Sequence, residues 1–122
     1  MGRFLVVCGA GAVGCGLRYL VNLWVGQRPF PFATLIVNLA GSFLIALVVE
    51  LALRIAAFPP SLKVALTAGF LGGLTTYSAF NHETLAMMLD GHVVRGFGYV
   101  ALMLVGCAAA GLLGVVLARA LA

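Results

Sequence analysis

Four apolar runs dominate the chain, at about residues 4–23, 33–53, 62–88 and 97–118. A helix that crosses the hydrocarbon core of a bilayer needs about 20 mostly apolar residues, and each run is long enough. Charge inside them is sparse. Arg18 sits near the far end of the first, Glu50 near the end of the second, and the fourth carries none. The links GQRPFPF, RIAAFPPSLK and LDGHVVRG gather most of the proline and much of the charge; Pro59-Pro60 marks a tight link, and Asp90 and His92 read as turn residues. Tyr19 and Trp24 flank the first link, where amphipathic rings settle at a membrane interface. The pattern predicts an all-α membrane protein: a single four-helix transmembrane domain over residues 1–122 with almost nothing outside the bilayer.

Composition agrees with this reading. Of 122 residues, 64% are hydrophobic and 8% charged, whereas a soluble domain carries about 25% charged residues. The net charge is +4, but the basic residues are scattered singly, so no stripe exists that could track phosphates and nucleic acid is excluded. Cys8, Cys15 and Cys107 have no metal-ligand spacing and read as small packing residues. Arg3 before an apolar run, with Ala12-Val13-Gly14-Cys15 behind it, has the outline of a signal peptide. The sequence beyond Cys15 stays apolar, so cleavage is not expected.

Gly9-x-Gly11-x-x-Gly14 resembles a dinucleotide-binding fingerprint. That chemistry needs a βαβ unit and an acid about 20 residues on, but the first acid in the chain is Glu50. The glycines instead belong to small residues four apart: Ala10 and Gly14, Gly11 and Cys15, Ala12 and Gly16. The device returns at Gly69 and Gly73, and at Gly106, Ala110 and Gly114. Such ridges let helix backbones approach closely.

Threading four spans puts Arg3, Arg54, Lys63 and Arg119 on one side and Arg18, Arg28 and Arg95 on the other. A balance so even gives the positive-inside rule little to act on. The expectation is insertion in both orientations and, if the two forms pair, a dual-topology antiparallel homodimer.

Polar groups within a span are costly and mark function. Thr34, Asn38 and Ser42 recur every four residues and share one helical face. Asn38 has two readings, an interhelical hydrogen bond or a donor lining an ion path. The stretch TAGFLGGLTTYSAFNHE, residues 67–83, is predicted to break its helix: Gly69, Gly72 and Gly73 are poor helix formers, and Thr75, Thr76 and Ser78 compete for backbone hydrogen bonds. Broken backbone in a membrane must line a cavity or hold an ion, and the free carbonyls of the first half-helix suit a cation. Beyond the break, Tyr77 and Phe80 share a face. They are either ordinary packing or ring edges turned toward a small anion. His82 and Glu83 follow the aromatic pair and read either as the edge of a vestibule or, in preference, as a solvated helix end.

The run GGLTTYSAF, with Asn38-x-x-Gly41 and the earlier GLRY (residues 16–19), resembles the CrcB/Fluc family of fluoride channels across essentially the whole chain. The resemblance implies a fluoride-selective passive ion channel that lowers cytoplasmic fluoride. It implies two pores per antiparallel homodimer, a cell inner membrane location and no enzymatic activity. It also implies a central sodium ion, structural rather than transported, on the backbone carbonyls of Gly72 and Thr75. The pore residues it indicates are Asn38, Tyr77, Phe80, Tyr99 and Arg18; the hydroxyls of Thr76 and Ser78 join them as donors able to replace fluoride's water. Tyr77 stands where the family has phenylalanine, Asn81 where a serine is common, and Met103 and Cys107 where it continues a polar track from Tyr99.

Two other readings compete. A small dual-topology multidrug exporter needs an intramembrane acid in its first span, which this chain lacks, and Arg18 would repel cations. A non-transporting membrane scaffold explains the small-residue ridges but not Asn38 beside a glycine-rich third span.

Overall fold

An unbroken run without proline or acid forms α1, Gly2–Val25. It stops at Gly26, whose φ of 69° lies where only glycine is at ease, and Pro29 and Pro31 follow. The second helix, α2, spans Phe32–Arg54. Pro60 then occupies the first turn of α3, Pro60–Val64, where its missing N–H costs nothing. The chain widens into a π-helical stretch, Ala65–Leu71, and tightens again in α4, Gly72–Leu74. Thr75 and Thr76 are extended, with φ/ψ of −86/155° and −153/119°. Helix resumes as α5, Tyr77–Leu89, and after a turn at Gly91 (φ 84°) as α6, Val93–Leu121.

This is a computed structural model describing all 122 residues. It is entirely helical, and α1, α2 and α6 are each long and apolar enough to cross a membrane. The third apolar run is not one helix but several pieces, parted at Thr75–Thr76.

The long helices pack through their glycines. A Cβ at Gly14 would run into the Phe70 carbonyl, and one at Gly73 into the Gly11 carbonyl. Thus α1 lies against the π-helical stretch and α4 almost backbone to backbone. Helices α2 and α6 run side by side in the same direction, with Leu39 against Gly106 and the Phe43 carbonyl where a Gly114 side chain would be. Their far ends are tied by Glu50 Oε1, which accepts from Arg54 Nε at 3.0 Å and Arg119 Nε at 2.9 Å.

Only 18 of 122 residues are buried, because most of the apolar surface faces outward. Phe4, Leu20, Trp24, Leu104 and Leu113 are all exposed, a surface suited to lipid or to another copy of the chain. The small core that exists lies at one junction: Leu35, Phe80, Met87, Tyr99 and Met103 cluster between α2, α5 and α6.

Candidate functional site

The break is built by threonine chemistry. Thr67 Oγ1 donates to the Lys63 carbonyl at 2.8 Å, and Thr75 Oγ1 to the Leu71 carbonyl at 2.9 Å. Such back-bonding competes with the helical ladder. Thr76 then caps α5, its Oγ1 accepting from Ala79 N at 3.2 Å.

Asn38 stitches the gap from α2. Its Nδ2 donates to the Thr76 carbonyl at 3.0 Å, and its Oδ1 accepts from Thr76 N at 2.9 Å. In a continued helix that N–H would have bonded the Gly72 carbonyl. Asn38 therefore pairs the extended residue and takes away the donor that Gly72 would have had. One turn along α2, Gly41 leaves room for the Thr75 methyl.

A cavity of about 370 Å³ opens beside this junction. Asn38, Ser42, Gly72, Thr75 and Thr76 are among the residues that line it, as are Tyr77, Phe80, Met103 and Cys107. The negative end of α4 and the positive end of α5 both meet here. Tyr77 and Phe80 stand edge to face, with centroids 5.6 Å apart at 66°. Phe80 continues the arrangement onto Tyr99, at 5.1 Å and 67°. Phe80 is 6% exposed and Tyr99 fully buried, whereas Tyr77 is 75% exposed. Ser78 Oγ lies 3.2 Å from Thr76 Oγ1.

Glu83 departs from the solvated helix end expected of it. Its Oε1 accepts from Thr34 Oγ1 at 2.6 Å, and its Oε2 from the Tyr99 hydroxyl at 2.8 Å. The carboxylate thus joins α5 to both α2 and α6. Helical spacing carried the signal: Glu83 stands three residues after Phe80 and four before Met87, both buried. Glu83 also helps to line a second cavity of about 460 Å³, together with Asn22, Arg28 and Thr34. Phe80 lines the first cavity, and Tyr99 packs at 5.2 Å on Phe30, which lines the second.

The structure thus gathers Asn38, Gly72, Thr75, Thr76, Tyr77 and Phe80 around one cavity, with Tyr99 and Ser78 bonded or packed to its edge. Arg18 does not join them. Its Nη2 lies 3.8 Å from Cys15 Sγ, one turn back on α1. A sulfur contact also reaches the junction, since Asn38 Nδ2 lies 3.7 Å from Met103 Sδ.

Residues 5–115 match the family described as "CrcB-like protein, Camphor Resistance (CrcB)". The chain is 43% identical over 125 residues to a protein of Anaeromyxobacter dehalogenans named "Fluoride-specific ion channel FluC", covering 100% of this chain and 99% of that one. A protein of the same name from Geobacter sp. (strain M21) is 44% identical over 124 residues, covering 99% of this chain and 100% of its own. Another, from Bordetella petrii, is 42% identical over 119 residues, with 98% and 93% covered.

Proposed function

The chain belongs to the CrcB family, and from that premise we propose that it is a fluoride-selective passive channel of the inner membrane. Two pores per antiparallel homodimer and a structural sodium ion at the dimer centre complete the reading. The observation that carries it is the helix break at Thr75–Thr76, stitched by Asn38 and opening onto a cavity that Tyr77 and Phe80 help to line.

Fluoride is small and strongly hydrated, so a path for it must replace water with donors. The amide of Asn38 and the hydroxyls of Thr76 and Ser78 offer such donors at the first cavity, while Thr34 and Tyr99 hold the Glu83 carboxylate with theirs and could serve an ion only by releasing it. The start of α5 adds the positive end of a 13-residue helix. The ring edges of Tyr77 and Phe80 are positive relative to their faces. Many modest contacts let an ion enter and still leave. The work is conduction, with no chemical transformation of the ion.

The donor set at the break fits the proposed sodium. Carbonyl oxygens suit a hard cation, and the Gly72 carbonyl has lost its helical N–H to Asn38. Gly72 and Thr75 would hold the ion, which would supply positive charge beside the pores. Arg18 is proposed to draw anions toward a pore mouth.

The near-even charge on the two sides and the exposure of Tyr77 support an antiparallel partner. A C-terminal tag found on both faces of the membrane is the expected result, and a tag on one face alone would remove this part of the proposal. For the function, protein reconstituted in liposomes is followed with a fluoride electrode, chloride serving as control. Fluoride efflux without chloride efflux is expected; no fluoride-selective flux would end the channel reading.

A further inference from the structure

The wall that α6 contributes to the first cavity contains two sulfurs. Met103 and Cys107 stand one helical turn apart and both line it. Cys107 Sγ lies 3.7 Å from Met103 Sδ. Met103 is 5% exposed, so its thioether is confined to this position, with the Asn38 amide on its other side. Cys8 and Cys15, by contrast, are exposed on α1.

A thiol beside a thioether is a soft donor pair. Sulfur ligands of this kind select Cu(I), while carbonyl and carboxylate oxygens select hard cations. Two metal–sulfur bonds of about 2.3 Å can span up to about 4.6 Å between sulfurs. A separation of 3.7 Å lies within that span, so one ion can reach both sulfurs with a bent angle at the metal.

We infer that Cys107 and Met103 form a binding site for Cu(I) inside the first cavity. A metal–sulfur bond forms at each residue. The Cys107 thiol proton passes to water, Met103 gives a lone pair, and copper keeps its oxidation state. The bound ion occupies the cavity beside Asn38 and obstructs it, a consequence that rests on the conduction reading. The site is a property of this chain's own sulfurs, at positions where the family resemblance implies a polar track.

The test uses protein carrying Cys8→Ala and Cys15→Ala, so that Cys107 is the single thiol. Cu(I) is titrated anaerobically against the coloured chelator bicinchoninate. One Cu(I) withdrawn per chain is expected, with a thiolate–copper absorption band in the ultraviolet. Cys107→Ala should abolish both. Met103→Leu, which keeps the volume, should weaken binding at least about tenfold, the scale at which even outer-shell partners act. No copper withdrawn, or withdrawal unchanged by either substitution, would overturn the site. The titration and the absorption band are both read on the single-thiol protein, so a variant that fails to fold leaves the proposal testable.

In liposomes, Cu(I) should halt fluoride efflux through the single-thiol protein and spare Cys107→Ala. Efflux that persists with copper bound would overturn the obstruction. A complete lack of fluoride efflux before copper is added would instead count against the channel reading, and the titration alone would then decide the site.

Discussion

Asn38 and Thr76 exchange two hydrogen bonds across 38 residues of sequence, at 3.0 and 2.9 Å, in the manner of paired backbone strands. One carboxamide thereby satisfies both polar groups of a residue that has left its helix. In a membrane such groups must be met by protein or by the water of a cavity, because lipid offers them nothing.

Replacing Asn38 with Ala strands the Thr76 N–H and C=O together. Each unmet group costs about 1–3 kcal/mol. The expected outcome is a marked fall in the unfolding midpoint in detergent, with fluoride efflux lost. Asn38→Asp keeps the acceptor for Thr76 N but not the donor, and should fall between. An Asn38→Ala protein as stable as the parent would show that the break holds itself together.

Tyr99→Phe keeps the ring stack on Phe80 and removes the hydroxyl that reaches Glu83. A lost bond to a carboxylate costs about 1.5–3 kcal/mol, and the ring stack and the Thr34 bond to Glu83 remain, so the protein should still fold and assemble. Fluoride efflux should drop well beyond what that loss explains. Rates equal to the parent's, measured by electrode, would take the Tyr99 hydroxyl out of the path.

Met103→Ser removes the thioether from the Asn38 amide and offers a hydroxyl in its place. If the thioether occupies a donor that fluoride needs, efflux should rise. An unchanged or slower rate would mean that Met103 does not obstruct conduction.

Two glycine substitutions should behave in opposite ways. Gly73→Ala drives a methyl into the Gly11 carbonyl, with Cys15 N 3.1 Å away, and such overpacking costs about 1–3 kcal/mol. Gly9→Ala meets nothing within 4 Å and should be neutral or stabilise by about 0.5–1 kcal/mol. Thermal unfolding of the two proteins side by side checks the contrast; equal midpoints would refute backbone contact between α1 and α4.

Much of the helical layout could be read from residue order alone. Apolar runs of bilayer length must satisfy their own backbone hydrogen bonds, and helices do so locally. The third run's weakness was equally local: glycines and threonines lie together between Gly69 and Thr76, and the helix does part at Thr75–Thr76. The four-residue recurrence of Thr34, Asn38 and Ser42 placed a polar face on α2 for the same reason, since i to i+4 geometry is intrinsic to a helix.

What that face would meet was decided by the tertiary structure. Thr34 finds Glu83 49 positions away, and Asn38 finds Met103 65 positions away. Those partners depend on how the helices are set against one another, which glycine clearances at Gly14, Gly73 and Gly114 determine only once the backbones touch. Hence Glu83, which ends a polar-looking stretch in the sequence, became a bridge between three helices, and two sulfurs came to share a cavity wall with Asn38. Helices follow from neighbours along the chain; the path between them follows from neighbours in space.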